Sequence, residues 1–262
     1  MAMRWICVIL AIILGGSSLA SEPKPLMIAS GDFAPYTSSE MATGGFLTEI
    51  TMRAFELANI PANEIYLPWA RGYLGTQKLH FDATFPYMKT PQREAVFLYS
   101  APLFPMAVTI FVRSENAYLF SRPEDFIGYI WCLPRAYAAD ALVPFLKKGL
   151  MSMVRASDDQ ACMEMVKRKR ATAYPIDLLI GEDMVKKQPE LFEEMVNLNW
   201  AINKNHYYLM VSKNHPRGPE LITRFNKGLK TLKASPEWGE ILHRHGINEG
   251  HLRGLRQTPI VR

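Results

Sequence analysis

Arg93 makes the sharpest chemical statement in this sequence. It follows Thr90-Pro91-Gln92, where Thr90 can act as a helix N-cap and Pro91 can take the first helical position, so the backbone beneath Arg93 is fixed. A guanidinium held in this way offers a two-pronged fork to a carboxylate; the competing reading is a structural salt bridge to Glu94 or Asp82. Asp177 closes the apolar run Thr172–Ile176. It can present its carboxylate at a strand end or simply cap a helix beginning at Leu178. Phe33 lies between a strand and Pro35, and Trp69 follows Pro68 at another strand end, the edge at which open α/β sheets hold ligands. Large flat faces there suit apolar or cationic groups, although Phe33 could equally cover the core. Arg71, two residues beyond Trp69, could face a ligand or the solvent.

Other chemistry is missing from the sequence. It contains no Gly-x-Ser-x-Gly, Walker loop, His-Glu-x-x-His or Gly-x-Gly-x-x-Gly pattern, and no cofactor is expected. His243 and His245 are two apart and fall on different helix faces, which makes a poor metal pair. Lys167-Arg168-Lys169-Arg170 reads as a solvated helix terminus, where positive charge suits the dipole. With 48% hydrophobic residues, 21% charged residues and a formal charge of +5 over 262 residues, disorder, coiled coil and collagen-like repetition are excluded. No basic block is long enough to argue for nucleic acid.

The elements that must position these residues alternate between short β-like runs and longer helical patterns, the sign of α/β layering with a largely parallel sheet. Strands are expected at Leu26–Ser30, Glu64–Leu67, Asp82–Phe85, Ala95–Tyr99, Met106–Val112, Gly128–Leu133, Thr172–Ile176 and His206–Ser212. Phe46, Leu47, Ile50, Ala54 and Leu57 fall on one helical face, entered through Thr43 and two glycines. Further helices are expected over Arg71–Leu79, Tyr137–Lys148, Leu178–Lys187 and Pro219–Leu232. Ser157-Asp158-Asp159-Gln160 reads as a capping box opening a helix through Arg168, and Ser121-Arg122-Pro123-Glu124 as a capped turn. Ser235-Pro236-Glu237 starts a last helix that Gly246 ends, and residues 248–262 read as a loose basic tail.

Residues 1–20 carry Arg4, nine unbroken apolar residues from Ile6 to Leu14, and small residues at Ser18 and Ala20, the layout of a secretory signal peptide. Nine residues rise only about 14 Å as a helix, too short for a bilayer core of about 30 Å; an uncleaved anchor is the alternative. Removing Arg4 with this segment lowers the formal charge to +4. Export leaves Cys132 and Cys162 in a compartment that permits disulfides, where they form either a bridge or two buried thiols.

The order of elements and four landmarks resemble the bacterial extracellular solute-binding proteins of the amino-acid-binding type, family 3. The landmarks are Gly31-Asp32-Phe33-Ala34-Pro35-Tyr36, then Gly44-Gly45-Phe46, then Phe81-Asp82, then Thr90-Pro91-Gln92-Arg93 with Tyr99-Ser100-Ala101-Pro102 beyond. The resemblance covers about residues 25–247. It implies an α/β fold of two lobes, the type 2 periplasmic-binding-protein fold, each lobe a mainly parallel sheet flanked by helices. The two crossing segments, at Val108–Arg113 and His206–Ser212, would act as the hinge. Lobe 1 would be residues 25–110 with 211–247, and lobe 2 residues 111–210. In the family, the arginine at the position of Arg93 holds the ligand α-carboxylate, the acid at Asp177 pairs with its amine, and aromatics at Phe33 and Trp69 pack on its body.

This sequence also departs from the family. Where the family carries a Gly and a small hydroxyl residue before the Thr-x-x-Arg, this chain has Phe85-Pro86-Tyr87-Met88-Lys89. Proline cannot donate a backbone hydrogen bond, so part of the anion site is lost or is rebuilt by Tyr87. The Gly-Thr/Ser turn of the second lobe reads Arg135-Ala136-Tyr137, and Arg135 and Tyr137 could contact ligand or be exposed. The resulting expectation is a monomeric, non-enzymatic periplasmic protein that captures a small polar, amino-acid-like solute for an ABC-type permease or a membrane sensor. An exported dehydratase or lyase on the same scaffold is the alternative, with Glu64 and Asp82 as the nearest carboxylates in the first lobe.

Overall fold

The computed structural model describes residues 24–135, 146 and 149–257. The amino-terminal apolar segment, Tyr137 with nearly all of the helix expected over 137–148, and residues 258–262 lie outside the described residues.

The first unit is three parallel strands, β1 (Leu26–Ser30), β2 (Ala62–Tyr66) and β3 (Ala83–Tyr87), in the order β2-β1-β3. Ile28, Ala29 and all of β3 are buried, as parallel strands covered on both faces must be. Helix α1 (Phe46–Leu57) lays Phe46, Leu47, Ile50, Ala54 and Phe55 against them. The second helix, α2 (Trp69–Gln77), begins two residues earlier than the periodicity suggests. Thr90 caps α3 (Pro91–Val96) by accepting from the Arg93 N–H at 3.3 Å, with Pro91 at the first helical position, as the sequence predicts. The short strand β4 (Phe97–Tyr99) follows.

Two long antiparallel strands then carry the chain across the molecule and back. They are β5 (Phe104–Arg113) and the 18-residue β9 (Met195–Ser212), paired from Phe104↔Tyr207 to Arg113↔Met195. The returning strand is much longer than the His206–Ser212 expected, because the asparagines at 197, 199, 203 and 205 hide its first half from a propensity reading. Its far end pairs with β3 and β4, while β5 pairs on its other side with β8 (Tyr174–Asp177). The sheet is therefore parallel within β2-β1-β3 and antiparallel around the crossing strands. Pro86 falls where the β3–β9 ladder is irregular: Thr84 faces Met210 and Tyr87 faces Tyr208, so β3 has one extra residue, a bulge where proline is tolerated.

Beyond β5, two 3-10 turns (Ser114–Leu119 and Pro123–Phe126) lead to β6 (Ile130–Pro134), which pairs in parallel with β7 (Ser152–Ala156), a strand the sequence did not reveal. Asp125, not Ser121, caps the second turn by accepting from the Ser121 and Arg122 N–H groups. Likewise Asp158, not Ser157, caps α4 (Asp159–Lys167) through Ala161. Cys132 in β6 and Cys162 in α4 form a disulfide, with Cα atoms 5.4 Å apart, inside the usual range. After β8 come α5 (Leu178–Lys187) and the single turn α6 (Pro189–Phe192).

Helices α7 (Gly218–Lys233) and α8 (Pro236–Arg244) return to the first unit, where Phe225 packs on Phe55 at 4.7 Å. The expected loose tail is corrected as far as residue 257. Helix α9 (Glu249–Gly254) and the two-residue β10 (Arg256–Gln257), paired with Trp200 and Ala201, bury Leu252 and Leu255. Those two leucines, buried under basic neighbours, were too few to show a period. No helix among the described residues is long and apolar enough to cross a membrane.

Candidate ligand-binding site

The loop between β1 and α1 is held by backbone bonds. The Tyr36 N–H donates to the Phe33 carbonyl at 2.9 Å, and the Phe33 N–H to that of Thr37 at 2.7 Å. No side chain caps α1; the Phe46 and Leu47 N–H groups donate instead to the carbonyls of Pro35 and Tyr36, at 3.3 and 2.9 Å. This close approach needs the glycine at 45, which has φ 94° and where a Cβ would lie 2.6 Å from the Tyr36 oxygen. A helix entry readable in the sequence thus fixes both Phe33 and Tyr36.

Trp69 opens α2 directly over the end of β1. A Cβ at Gly31 would meet its indole at 2.7 Å, so glycine permits the ring to lie on the backbone. From there a ribbon of aromatic contacts runs both ways. Trp69 meets Phe33 edge-on at 6.0 Å and Tyr87 edge-on at 5.6 Å, and the Tyr87 hydroxyl donates to the Trp69 carbonyl at 3.3 Å. Tyr87 therefore does not rebuild an anion site with its hydroxyl. Its ring instead lies under Arg93, whose guanidinium carbon is 5.0 Å from the centroid. Arg93 is half-buried and donates from Nη1 to the Met88 carbonyl at 2.9 Å. Among the described residues no carboxylate pairs with it. Asp82, the competing partner, is taken by the Met27 N–H at 2.8 Å and by His215 at 3.2 Å.

At its other end the ribbon reaches the second half of the chain. Phe33 stacks on Tyr36 at 5.4 Å and meets Tyr207 of β9 edge-on at 5.9 Å. The Tyr36 hydroxyl donates to Asp177 Oδ1 at 2.7 Å, the Leu179 N–H to the same oxygen at 3.0 Å, and the Tyr207 hydroxyl to Oδ2 at 3.5 Å. Asp177 is only 5% exposed. Burial pushes its carboxyl up to about 7 against the opposing pull of these donors, and burial beside Asp177 lifts the Tyr36 phenol well above its ordinary value. Asp177 caps α5 and also ends the aromatic ribbon, so the cap does not remove it from the candidate site.

Phe33, Trp69, Tyr87, Arg93 and Asp177 are thus brought into one contact path. Arg71 is exposed on α2, and Arg135 is exposed at the end of β6 with its backbone N–H on the Ala156 carbonyl; among the described residues neither joins the ribbon by a side-chain contact. The residues that the sequence reading missed are Tyr36 and Tyr207. Both lay in view, one inside the Gly31–Tyr36 landmark and the other in an expected strand. Glu64 accepts from the Ser30 and Thr48 hydroxyls at 2.6 and 3.1 Å, and burial raises its carboxyl. No group of three or more potential metal ligands occurs among the described residues.

The family model of the bacterial extracellular solute-binding proteins, family 3, matches residues 26–248, and the chain belongs to that family. None of the curated protein sequences matches it. Solved structures share the two-lobed fold. The GluR0 ligand-binding core in complex with L-glutamate has 15% identity and a TM-score of 0.70, covering 85% of this chain and 98% of its own. The second substrate-binding domain of Lactococcus lactis GlnP, in an open conformation, has 20% identity and a TM-score of 0.64, with coverages of 86% and 96%. The ancestral amino-acid-binding protein AncCDT-1, a precursor of cyclohexadienyl dehydratase, has 18% identity and a TM-score of 0.66, with coverages of 84% and 94%.

Proposed function

We propose that the protein is an exported, periplasmic receptor that captures a small carboxylate-bearing solute between two lobes and presents it to an ABC-type transporter or a membrane sensor. One lobe is residues 25–110 with 211–247. The other is residues 111–210, onto which α9 and β10 pack. The observation that carries the reading is Arg93, a half-buried guanidinium with no acidic partner among the described residues, resting on an aromatic ribbon that continues to Asp177 in the other lobe. A cation left without a counter-ion beside flat apolar faces is set to receive an anion with an apolar body. Lobe closure by hinge motion at β5 and β9 would then shut the ligand in.

Binding is favoured over turnover for a specific reason. Asp177 is the group whose acidity suits proton transfer near neutrality, and its oxygens are already engaged by Tyr36, Tyr207 and Leu179. Mass spectrometry of the protein purified under native conditions is expected to show a retained small organic acid that the Arg93→Ala variant lacks. That variant should lose about 100-fold or more in affinity, the scale of removing a bidentate charged contact, and stay folded with only a small drop in melting temperature from the lost Met88 and Tyr87 contacts. Unchanged binding by Arg93→Ala would remove the assignment.

A further inference from the structure

We propose that the cleft is built for a carboxylate whose body carries no ammonium group, an aryl- or alkylcarboxylate and not a zwitterionic amino acid. This rests on the receptor reading, in which Arg93 receives the ligand carboxylate. An amino acid needs a second, acidic contact for its ammonium, and here Asp177 is closed off by the protein itself. Its Oδ1 accepts from the Tyr36 hydroxyl at 2.7 Å and the Leu179 N–H at 3.0 Å, and Oδ2 faces the Tyr207 hydroxyl at 3.5 Å.

The two tyrosines are themselves locked. Tyr36 is fully buried, Tyr207 is 5% exposed, and their rings meet at 4.9 Å. An ammonium that displaced the Tyr36 hydroxyl from Asp177 would leave that hydroxyl buried without an acceptor, which costs about as much as the new contact gains. The partial protonation of Asp177 near neutrality weakens it further as a counter-ion.

Among the described residues, the other partly buried acidic groups near the path are already engaged. Glu64 is engaged by Ser30 and Thr48, and Asp82 by Met27 and His215. Glu182 is engaged by Asn197 at 3.4 Å and His251 at 3.5 Å. An aromatic face could also hold a cation, but that of Tyr87 already carries Arg93, a like charge. Among the described residues, Arg93 and the faces of Phe33 and Trp69 are thus left to meet an anionic head and an apolar body.

The test is calorimetric titration of the mature chain with matched pairs that differ only in the amine: 3-phenylpropanoate with L-phenylalanine, and 4-methylpentanoate with L-leucine. In each pair that binds, the member without the amine is expected to bind at least about tenfold tighter, the cost of an unpaired buried charge. Equal or tighter binding of the amino acid overturns the inference. Silence from all four compounds also overturns it, and a different solute retained by the native protein would then leave the receptor reading standing. As a second readout, affinity for the bound carboxylate should stay flat from about pH 6 to 8, because Asp177 is held by Tyr36, Tyr207 and Leu179 and makes no contact with the ligand. A change of more than about threefold in either direction through the titration of Asp177 would show that this carboxylate contacts the ligand, and would overturn the inference as well.

Discussion

At the residue scale, the two ionisable groups at the ends of the candidate site differ in what fixes them. Arg93 is set by its own neighbours, a Thr90 cap and a Pro91 start, so its importance is readable locally. Asp177 is set by Tyr36, 141 residues away, and by Tyr207 on the returning strand. No spacing rule encodes those contacts. The burial that raises Asp177 from 3.8 to about 7 has a consequence for stability. A carboxyl with a raised folded-state pKa contributes stability that is fully present below pH 3.8 and is lost as pH climbs through 7, on the order of 4 kcal/mol in total. Asp177→Asn removes that titration. Denaturant melts of both proteins at several pH values should show the difference between wild type and variant shifting against the wild type as pH rises from about 4 to 8. A difference independent of pH would mean that Asp177 is not buried as described.

At the element scale, strand ends and helix entries do the positioning. Gly31→Ala would drive a methyl into the Trp69 indole. The expected result is a loss of about 1–3 kcal/mol, the usual cost of overpacking, with weakened ligand binding because the middle of the aromatic ribbon shifts. Intrinsic fluorescence and calorimetry on the same variant would check both effects, and a wild-type melting curve would contradict the packing. Elements with strong local signals were legible in the sequence: α1 by its apolar face, α3 by its cap, and α8 by Ser235-Pro236 at one end and Gly246 at the other. What was hidden shares one physical cause, stabilisation by distant pairing in place of local propensity. The first half of β9 is asparagine-rich but paired to β5 along its length, β7 is a short strand laid along β6, and β10 is two residues laid on β9. The aromatic ribbon was half legible for the same reason, since its members come from separate strand and helix ends.

At the scale of the whole molecule, the question is whether two lobes mean two unfolding units. One apolar core runs from Phe55 and Phe225 through Phe104 and Phe111 on β5 to Cys162, Leu178 and Phe192. Tyr36 adds a buried hydrogen bond from the first segment to Asp177 in the second. Continuous packing through the crossing strands couples the halves, so a single cooperative transition is expected. The disulfide lies entirely within residues 132–162 and closes a loop of 30 residues, for which chain entropy gives about 3–4 kcal/mol. If the halves are coupled, a Cys132→Ser/Cys162→Ser variant should lower the unfolding midpoint for both. Hydrogen exchange should then report earlier opening in β1 and β3, far from the cross-link in sequence, as well as in β6 and α4. If residues 111–210 alone became labile while β1 and β3 kept wild-type protection, the lobes would be independent and the shared core would carry no coupling. Arg93, Tyr87 and Trp69 lie outside the cross-linked segment, so at temperatures below the lowered midpoint the variant should still bind the ligand of the parent within about threefold, a difference of well under 1 kcal/mol.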